Sequence, residues 1–254
     1  MLELRDITKV YGLGTANENY LFNRFNLTIQ EGDFISVVGS NGSGKTSLLN
    51  VICGSIDMEG GQVILAGKDI TKQADFRRYE KIGRVYQDPS MGTCPQMTIL
   101  ENMSLADNKN KPYNLRSGTD KKRIEVYRDR LRELNLGLED KLDVKVGSLS
   151  GGQRQAIALL MSVLTPVEFL ILDEHTASLD PATAELIMQL TEKIVIEHRL
   201  TTVMVTHNLR YALEYGNRLL MLHQGASVID IAGEEKENAV SEDIMRLFNR
   251  ISLE

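Results

Sequence analysis

The stretch that decides the fold runs from Phe34 to Ile52 and reads FISVVGSNGSGKTSLLNVI. Its first five residues form a nearly continuous apolar run, which is typical of a strand buried on both faces of a sheet. After the glycine-rich centre, apolar residues recur at Leu48, Leu49 and Ile52, which is the spacing of a helix. The sequence therefore predicts a strand, a tight loop and a helix in direct succession.

The loop between this strand and this helix matches the pattern G-x-x-x-x-G-K-[ST] over Gly39–Thr46. Glycines allow successive backbone N–H groups to point at phosphate oxygens, and the start of the helix adds partial positive charge. Lys45 is expected to reach the β- and γ-phosphates of a nucleotide, and the Thr46 hydroxyl to bind Mg²⁺. The alternative, a glycine-rich turn with an unrelated lysine, would not require a strand before it and a helix after it.

A second apolar run, Phe169–Glu174, ends in two carboxylates. Asp173 stands where it could hold the Mg²⁺ shell, and Glu174 where it could polarise an attacking water as a general base. A strand that merely ends in a solvated acidic turn is the alternative. Together with the phosphate loop, the two acids predict nucleotide hydrolysis. The sequence contains no Asn-Lys-x-Asp motif for guanine, which argues against a GTPase.

The composition excludes several other classes of protein. The chain has 254 residues, of which 42% are hydrophobic and 25% charged, as in ordinary soluble proteins. The net charge of -6, from 29 basic and 35 acidic residues, argues against non-specific binding to nucleic acid or anionic lipid. Cys53 and Cys94 are too few for a disulfide framework, so a reducing cytoplasm is expected. The apolar stretch 156–172 is shorter than a membrane span and is interrupted by Pro166 and Glu168, so it predicts a helix, a turn and a strand.

Strands and helices alternate along most of the chain. The pattern predicts strands at 25–29, 62–65, 82–86, 202–206, 219–222 and 227–231, and a helix at 181–197. Between about 88 and 165 the β-branched runs vanish, and 119–136 carries apolar residues at helical spacing. This alternation predicts an α/β protein with a parallel sheet covered on both faces and an inserted helical segment.

The sequence Leu149–Gln153, LSGGQ, is the one that names a family. With the phosphate loop and the acidic pair, it closely resembles the signature of ATP-binding cassette (ABC) ATPases, in that family's order. The resemblance runs from about 2 to about 231 and implies a single ABC ATPase domain over 1–254. The implied fold is α/β. It has a P-loop NTPase core with a mostly parallel sheet (1–87 and 166–254), an N-terminal antiparallel β subdomain and a helical subdomain with the signature (88–165).

The resemblance also implies roles for single residues. Gln87 resembles the Q-loop glutamine, His207 the switch histidine, Asp180 the D-loop aspartate and Tyr11 the aromatic residue that stacks on adenine. The implied catalytic residues are Lys45, Gln87, Glu174 and His207, and the implied Mg²⁺ ligands are Thr46, Gln87 and Asp173. The implied ATP contacts are Tyr11, Gly39, Ser40, Asn41, Gly42, Ser43, Gly44, Lys45, Thr46, Ser47, Ser150, Gly151, Gly152, Gln153 and Asp180. One departure is His175, where family members often have proline, and its effect on Glu174 is left open.

Family membership implies partners that the chain does not contain. One phosphate loop and one signature imply a head-to-tail homodimer that encloses two ATP molecules. A separate permease is expected to dock beside Gln87–Glu101, which places the chain at the cytoplasmic face of the membrane, with no nucleic acid partner. An exporter ATPase and a soluble, non-transport ABC ATPase are the alternatives.

Four stretches resemble a bacterial subgroup assigned to uptake with a branched-chain-amino-acid-type permease and an extracytoplasmic binding protein. They are Tyr86–Pro89, Lys145–Ala156, Leu172–Ala177 and Met204–Asn208. Amino acids are the implied cargo. The helical insert is also locally basic, at Lys109, Lys111, Arg116 and 121–123. This basic cluster is either a solvated face or a contact with lipid head groups or permease.

Overall fold

A computed structural model of the chain describes residues 1–109, 111–112, 118–119, 121–239 and 241–252. They gather into two compact units. The first unit comprises Met1–Tyr79 and Arg199–Glu254, and the second comprises Glu80–His198. The fold is the one that the resemblance implies: α/β, with an antiparallel N-terminal sheet, parallel strands and helices.

The strands are β1 (Leu2–Tyr11), β2 (Asn19–Ile29), β3 (Phe34–Gly39), β4 (Gly60–Leu65), β5 (Lys68–Asp69), β6 (Ile82–Val85), β7 (Phe169–Asp173), β8 (Thr201–Val205), β9 (Arg218–His223) and β10 (Ala226–Ala232). The helices are α1 (Lys45–Cys53), α2 (Asp75–Arg78), α3 (Ile99–Asp107), α4 (Ile124–Arg132), α5 (Gly151–Val163), α6 (Pro181–His198), α7 (Leu209–Glu214), α8 (Glu234–Glu237) and α9 (Ser241–Ser252).

In the first unit, an antiparallel sheet has the order β2-β1-β4-β5. The pattern of alternating residues does not predict β1, one of the two inner strands of this sheet. The buried residues of this strand are Leu2, Leu4, Ile7 and Val10, and the pairing with β2 shifts register between Leu4 and Ile7 and again after Ile7. The first shift adds a residue to β1, where Asp6 has φ 50°, and breaks the period of two, whereas the later shifts add residues to β2.

The first unit also holds β3, which lies between β8 and β9 and runs parallel to both. Every residue of β3 is buried, which confirms the prediction of a strand covered on both faces. The buried Ser36 hydroxyl donates to the Tyr215 carbonyl, 3.2 Å away. β10 pairs with β9 in the antiparallel direction. The loop that follows β3 therefore begins in the interior of the unit.

In the second unit, β6 and β7 pair in parallel, with Arg84 opposite Ile171. The apolar stretch 156–172 forms the end of α5, a turn and β7, as the sequence predicts. The helix predicted over 119–136 is too long, because α4 begins after a 3-10 turn at Lys121–Arg123 and ends at Arg132. Among the described residues, no helix combines the length and the apolar character that crossing a membrane requires.

Part of the basic cluster in the second unit serves an internal contact. The buried carboxylate of Asp107 accepts hydrogen bonds from Arg123 at 2.7 and 3.0 Å, from Lys111 at 3.2 Å and from the Tyr127 hydroxyl at 3.0 Å. Burial raises the pKa of Asp107, but these hydrogen bonds outweigh it and hold the pKa below its ordinary value. Lys111 and Arg123 therefore stabilise the joint between α3 and α4. Arg116 lies outside the described residues.

Candidate functional site

The phosphate loop lies in the first unit, between β3 and α1. α1 begins at Lys45 behind Gly44, whose φ is 106° and which offers no side chain to cap the first N–H groups. Gly39 has φ 156°, and a Cβ there would lie 2.3 Å from the Leu222 carbonyl oxygen. Only glycine fits at such a position. The loop needs glycine because its backbone passes close to β9. Beyond that point its N–H groups are available for phosphate oxygens.

Lys45 turns back into this loop. Its side chain is 5% exposed, and Nζ donates to the carbonyl oxygens of Gly39 at 2.8 Å and Ser40 at 2.9 Å. The Ser43 hydroxyl is buried in the same loop and has no hydrogen-bond partner among the described residues. A buried ammonium and a buried hydroxyl next to uncapped N–H groups form an environment that favours an anion. The loop therefore fits the phosphates that its sequence predicts.

Tyr11 ends β1 in the same unit. Its ring is 44% exposed, and its hydroxyl lies 3.0 Å from the Ser47 Oγ on α1. Lys9 Nζ stands 5.3 Å from the centroid of the ring and 3.0 Å from a Glu59 carboxylate oxygen. Burial raises the pKa of Glu59, but hydrogen bonds from the Val10 N–H and Lys9 hold it below its ordinary value. The ring that is expected to stack on adenine is thus held by Ser47, Lys9 and Glu59.

The motifs in the sequence predict roles for Tyr11 and Ser47 but not for Lys9 and Glu59. No local pattern joins Lys9 to Glu59, because 50 residues separate them along the chain.

The acidic pair lies in the second unit, at the end of β7. The Asp173 carboxylate accepts a hydrogen bond from Arg84 Nη2 at 2.7 Å, and the Arg84 guanidinium lies 4.7 Å from the centre of the Tyr86 ring. The next residue, Glu174, has φ 49°, which lies in the left-handed region that residues other than glycine rarely adopt. Arg84 thus contacts a predicted site residue, although the sequence pattern does not predict a role for it. Arg84 pairs with Ile171, two residues before Asp173, so only the pairing of β6 with β7 brings the two side chains together.

The signature residues open α5 as the sequence predicts. Ser150 caps the helix by accepting a hydrogen bond from the Gln153 N–H at 3.3 Å, while the Gln153 side chain accepts one from the Ser150 N–H. A Cβ on Gly152 would lie 2.2 Å from Cγ2 of Thr183 on α6, so the two helices meet closely there. The signature residues therefore lie at the N-terminus of a 13-residue helix, which carries partial positive charge.

Asp180 lies at the start of α6 and accepts a hydrogen bond from the Thr183 N–H at 3.1 Å. Hydrogen bonds from the Thr183 hydroxyl and backbone hold the pKa of Asp180 below its ordinary value. Gln87 is exposed just beyond β6, and the neighbouring Tyr86 carbonyl accepts a hydrogen bond from Gln155 Nε2 on α5 at 3.1 Å. The signature helix is therefore tied to the segment that carries Gln87.

His207 is exposed between β8 and α7. The next residue, Asn208, caps α7 by accepting a hydrogen bond from the Tyr211 N–H at 3.3 Å. The first unit thus carries Tyr11, the loop Gly39–Ser47 and His207. The second unit carries Gln87, Ser150–Gln153, Asp173, Glu174 and Asp180.

Comparison with known proteins agrees with this set of elements. A family model described as "ABC transporter" matches residues 22–177, more than half of the chain. A tyrosine transport ATP-binding protein of Clostridioides difficile (strain R20291) is 46% identical over 248 residues, which cover 98% of each chain. A phosphonates import ATP-binding protein, PhnC, of Lactobacillus delbrueckii subsp. bulgaricus is 31% identical and covers 96% of this chain and 94% of its own.

Solved structures give the same result. An ATP-binding cassette determined as a dimer in a post-hydrolysis state, bound to ADP and Pi, superimposes with a TM-score of 0.77 at 30% identity. The match covers 91% of this chain and 98% of that one. The order of the motifs, the folded elements that present them and the extent of these matches agree. This chain belongs to the ABC transporter family and is an ATP-binding subunit that hydrolyses ATP.

Proposed function

We propose that this chain energises an importer of tyrosine or a related amino acid, working with a separate membrane permease. The observation that carries the proposal is the 46% identity, over 98% of both chains, with a protein named for tyrosine transport. A more distant relative is named for phosphonates import, and this name supports uptake as the direction. The cargo would be selected by other subunits, because this chain supplies the nucleotide chemistry.

Nucleotide binding is assigned to the first unit. Tyr11 offers a half-exposed ring for the adenine, and the loop Gly39–Ser47 offers backbone N–H groups for the phosphates. Lys45, which now donates to two carbonyls of its own loop, has the charge and position to contact β- and γ-phosphate oxygens. The Thr46 hydroxyl is exposed at the first turn of α1, where an oxygen ligand for Mg²⁺ is needed.

Hydrolysis is assigned to the residues that follow β6, β7 and β8. Glu174 would accept a proton from the attacking water, Gln87 would orient that water, and His207 would donate to the γ-phosphate. Asp173 and Thr46 supply the hard oxygen donors that Mg²⁺ prefers, with Gln87 as a further ligand. When bound, the ion would neutralise charge on the phosphate oxygens. The Arg84 contact orients the Asp173 carboxylate for this task.

A second copy of the chain completes the proposed site. Ser150, Gly151 and Gly152 stand at the start of α5, which is a suitable site for a γ-phosphate held by the partner. The similar cassette solved as a dimer with ADP and Pi supports this arrangement.

We assign the permease contact to the segment between Gln87 and Glu101, at the cytoplasmic face of the membrane. An extracytoplasmic binding protein would deliver the solute to that permease.

The permease-facing segment has a defined internal support. The fully buried Asn102 accepts a hydrogen bond from the Cys94 N–H at 2.7 Å and donates to the carbonyls of Cys94 and Thr98 at 3.0 and 2.9 Å. Met91 is 70% exposed nearby in sequence. The hydrogen bonds of Asn102 tie the proposed docking segment to the start of α3.

The hydrolysis roles are tested with Glu174→Gln. This variant is expected to bind ATP normally, to hydrolyse it about 100-fold more slowly or worse, and to accumulate as a dimer with ATP. ATPase assays, equilibrium ATP binding and size-exclusion chromatography measure the three effects. An undiminished rate would remove Glu174 as the general base. A variant that stays monomeric with ATP bound would argue against the enclosed dimer.

The transport role is tested by reconstitution. The chain and a candidate amino-acid permease are placed in proteoliposomes, with binding protein outside and ATP inside, in the orientation of uptake. Accumulation of labelled tyrosine, absent with Glu174→Gln, is expected. Labelled leucine, phosphonate and spermidine serve as competing cargoes. Uptake of one of these and not of tyrosine would overturn the amino-acid assignment, and ATP-driven efflux would overturn import.

A further inference from the structure

His175 follows the proposed general base directly and points into the protein interior. Its side chain is buried, with 1% of the residue exposed, whereas Asp173 and Glu174 before it are only partly buried. Nothing in the proposed chemistry uses this imidazole. A buried polar ring needs hydrogen-bond partners, and its partner identifies what the ring does.

The partner is the hydroxyl of Thr191, on α6. Nε2 of His175 lies 3.1 Å from Thr191 Oγ1, and that hydroxyl donates its proton to the Ile187 carbonyl at 2.7 Å. Because the hydroxyl has a single proton, it must accept at Oγ1 from a proton on Nε2. This geometry assigns a proton to Nε2 of the His175 ring. Thr191 is also fully buried, which shields the chain of bonds from water.

The chain of hydrogen bonds supports a turn in an uncommon conformation. Glu174 has φ 49°, and its carbonyl accepts a hydrogen bond from the Ala177 N–H at 2.9 Å, which closes the turn. A residue with a side chain keeps a left-handed backbone only where the surroundings enforce it. The adjacent ring, bonded to the middle of an 18-residue helix, is such an enforcing contact.

We propose that His175 is a positioning residue, which holds the Glu174 backbone in its left-handed conformation through the His175–Thr191–Ile187 hydrogen bonds. The inference rests on the proposed role of Glu174 as the general base. Loss of the bonds would allow the turn to relax toward negative φ and shift the carboxylate relative to the attacking water. Displacements of this kind reduce the rate of the chemical step more than they reduce binding of the substrate.

The test uses paired variants that keep or remove each hydrogen bond. Thr191→Val removes the hydroxyl, whereas Thr191→Ser keeps it. His175→Phe keeps a ring without a donor, whereas His175→Gln places an amide N–H near the position of Nε2. Ile194→Val, another buried position on α6, is the control for loss of packing without a change in these bonds.

Thr191→Val and His175→Phe are expected to lower kcat for ATP hydrolysis about tenfold, with KM and equilibrium ATP affinity unchanged. Thr191→Ser and His175→Gln are expected to stay within about threefold of the parent. Ile194→Val should lower the melting temperature without lowering kcat. Equal rates in all variants, or a loss of kcat in Ile194→Val as large as in Thr191→Val, would overturn the proposal.

A second readout does not depend on activity. Nitrogen-15 NMR of the nucleotide-free protein should show His175 with its proton on Nε2, and that proton should exchange slowly in the parent and in Thr191→Ser only. A proton on Nδ1 in the parent would refute the hydrogen-bond chain. An active Glu174→Gln with the expected NMR signature would refute the role of Glu174 and leave the chain of bonds intact, so the two failures are distinguishable.

Discussion

Nη2 of Arg84 lies 2.7 Å from Oδ2 of Asp173, and the two side chains are only 7% and 14% exposed. The pair joins β6, which leads to Gln87, to β7, which leads to Glu174. The guanidinium also lies over the Tyr86 ring. The Asp173 carboxylate, which is expected to bind Mg²⁺, is therefore oriented by the nearly buried Arg84 guanidinium.

Removing Arg84 is expected to destabilise the protein strongly. Arg84→Met leaves the Asp173 carboxylate in a nearly buried place without its cation, at a cost of about 2–4 kcal/mol in the free energy of unfolding. Chemical denaturation measures this loss. The control is Arg128→Met, which breaks the exposed pair with Glu125 and should cost less than about 1 kcal/mol. Equal losses in the two variants would show that the Arg84–Asp173 pair contributes no more to the free energy of unfolding than an exposed ion pair.

Two glycines of the phosphate loop distinguish the cost of a left-handed backbone from the cost of a steric clash. Both have positive φ, but a Cβ on Gly39 meets the Leu222 carbonyl at 2.3 Å, whereas a Cβ on Gly42 meets nothing within 4 Å. Gly39→Ala is expected to cost about 3 kcal/mol or more, because backbone must move. Gly42→Ala should cost about 1–2 kcal/mol, for the left-handed conformation alone. Urea denaturation of both variants checks the order, and a reversed order would contradict the loop geometry.

The contact between the signature helix and α6 can be broken and restored. Gly152→Ala places a Cβ 2.2 Å from Thr183 Cγ2 and is expected to lower the free energy of unfolding by about 1–3 kcal/mol. Thr183→Ser removes that methyl group, so the double variant should regain most of the loss. Gly151→Ala is the matched control, because its Cβ would meet only Leu179 Cδ2 at 3.4 Å. A double variant no more stable than Gly152→Ala would rule out the close approach as the cause.

The ring of Tyr11 is expected to contribute directly to ATP affinity. Stacking of a base on an aromatic side chain contributes about 1–3 kcal/mol, so Tyr11→Ala should weaken ATP binding about 5- to 150-fold. Tyr11→Phe keeps the ring and loses only the hydrogen bond to Ser47, and it should stay within about threefold. Calorimetric titration of ATP in the Glu174→Gln background measures both. Equal weakening by both variants would assign the effect to the hydroxyl and not to stacking.

The parts of the site that the sequence predicted are those carried by short local patterns. The apolar run of β3, the loop Gly39–Thr46 and the acidic end of β7 each lie within one element and its flanking turn, and each has the predicted structure. The bulged strand β1 escaped prediction because pairing with β2 disrupts its alternation, and only the partner strand reveals the shifts in register. The length of α4 was overestimated because apolar spacing continues beyond the residues that are helical.

The sequence by itself determined the chemistry of this protein, because phosphate and metal binding require particular residue types at fixed short spacings. The tertiary structure decided how those residues are held. Arg84 and Asp173 are 89 residues apart, Lys9 and Glu59 are 50 apart, and His175 and Thr191 are 16 apart. Such contacts depend on which elements pack together, and many residue types could fill each position. No local pattern marks them, so only the folded chain shows that His175 contacts Thr191 and that Asp173 contacts Arg84.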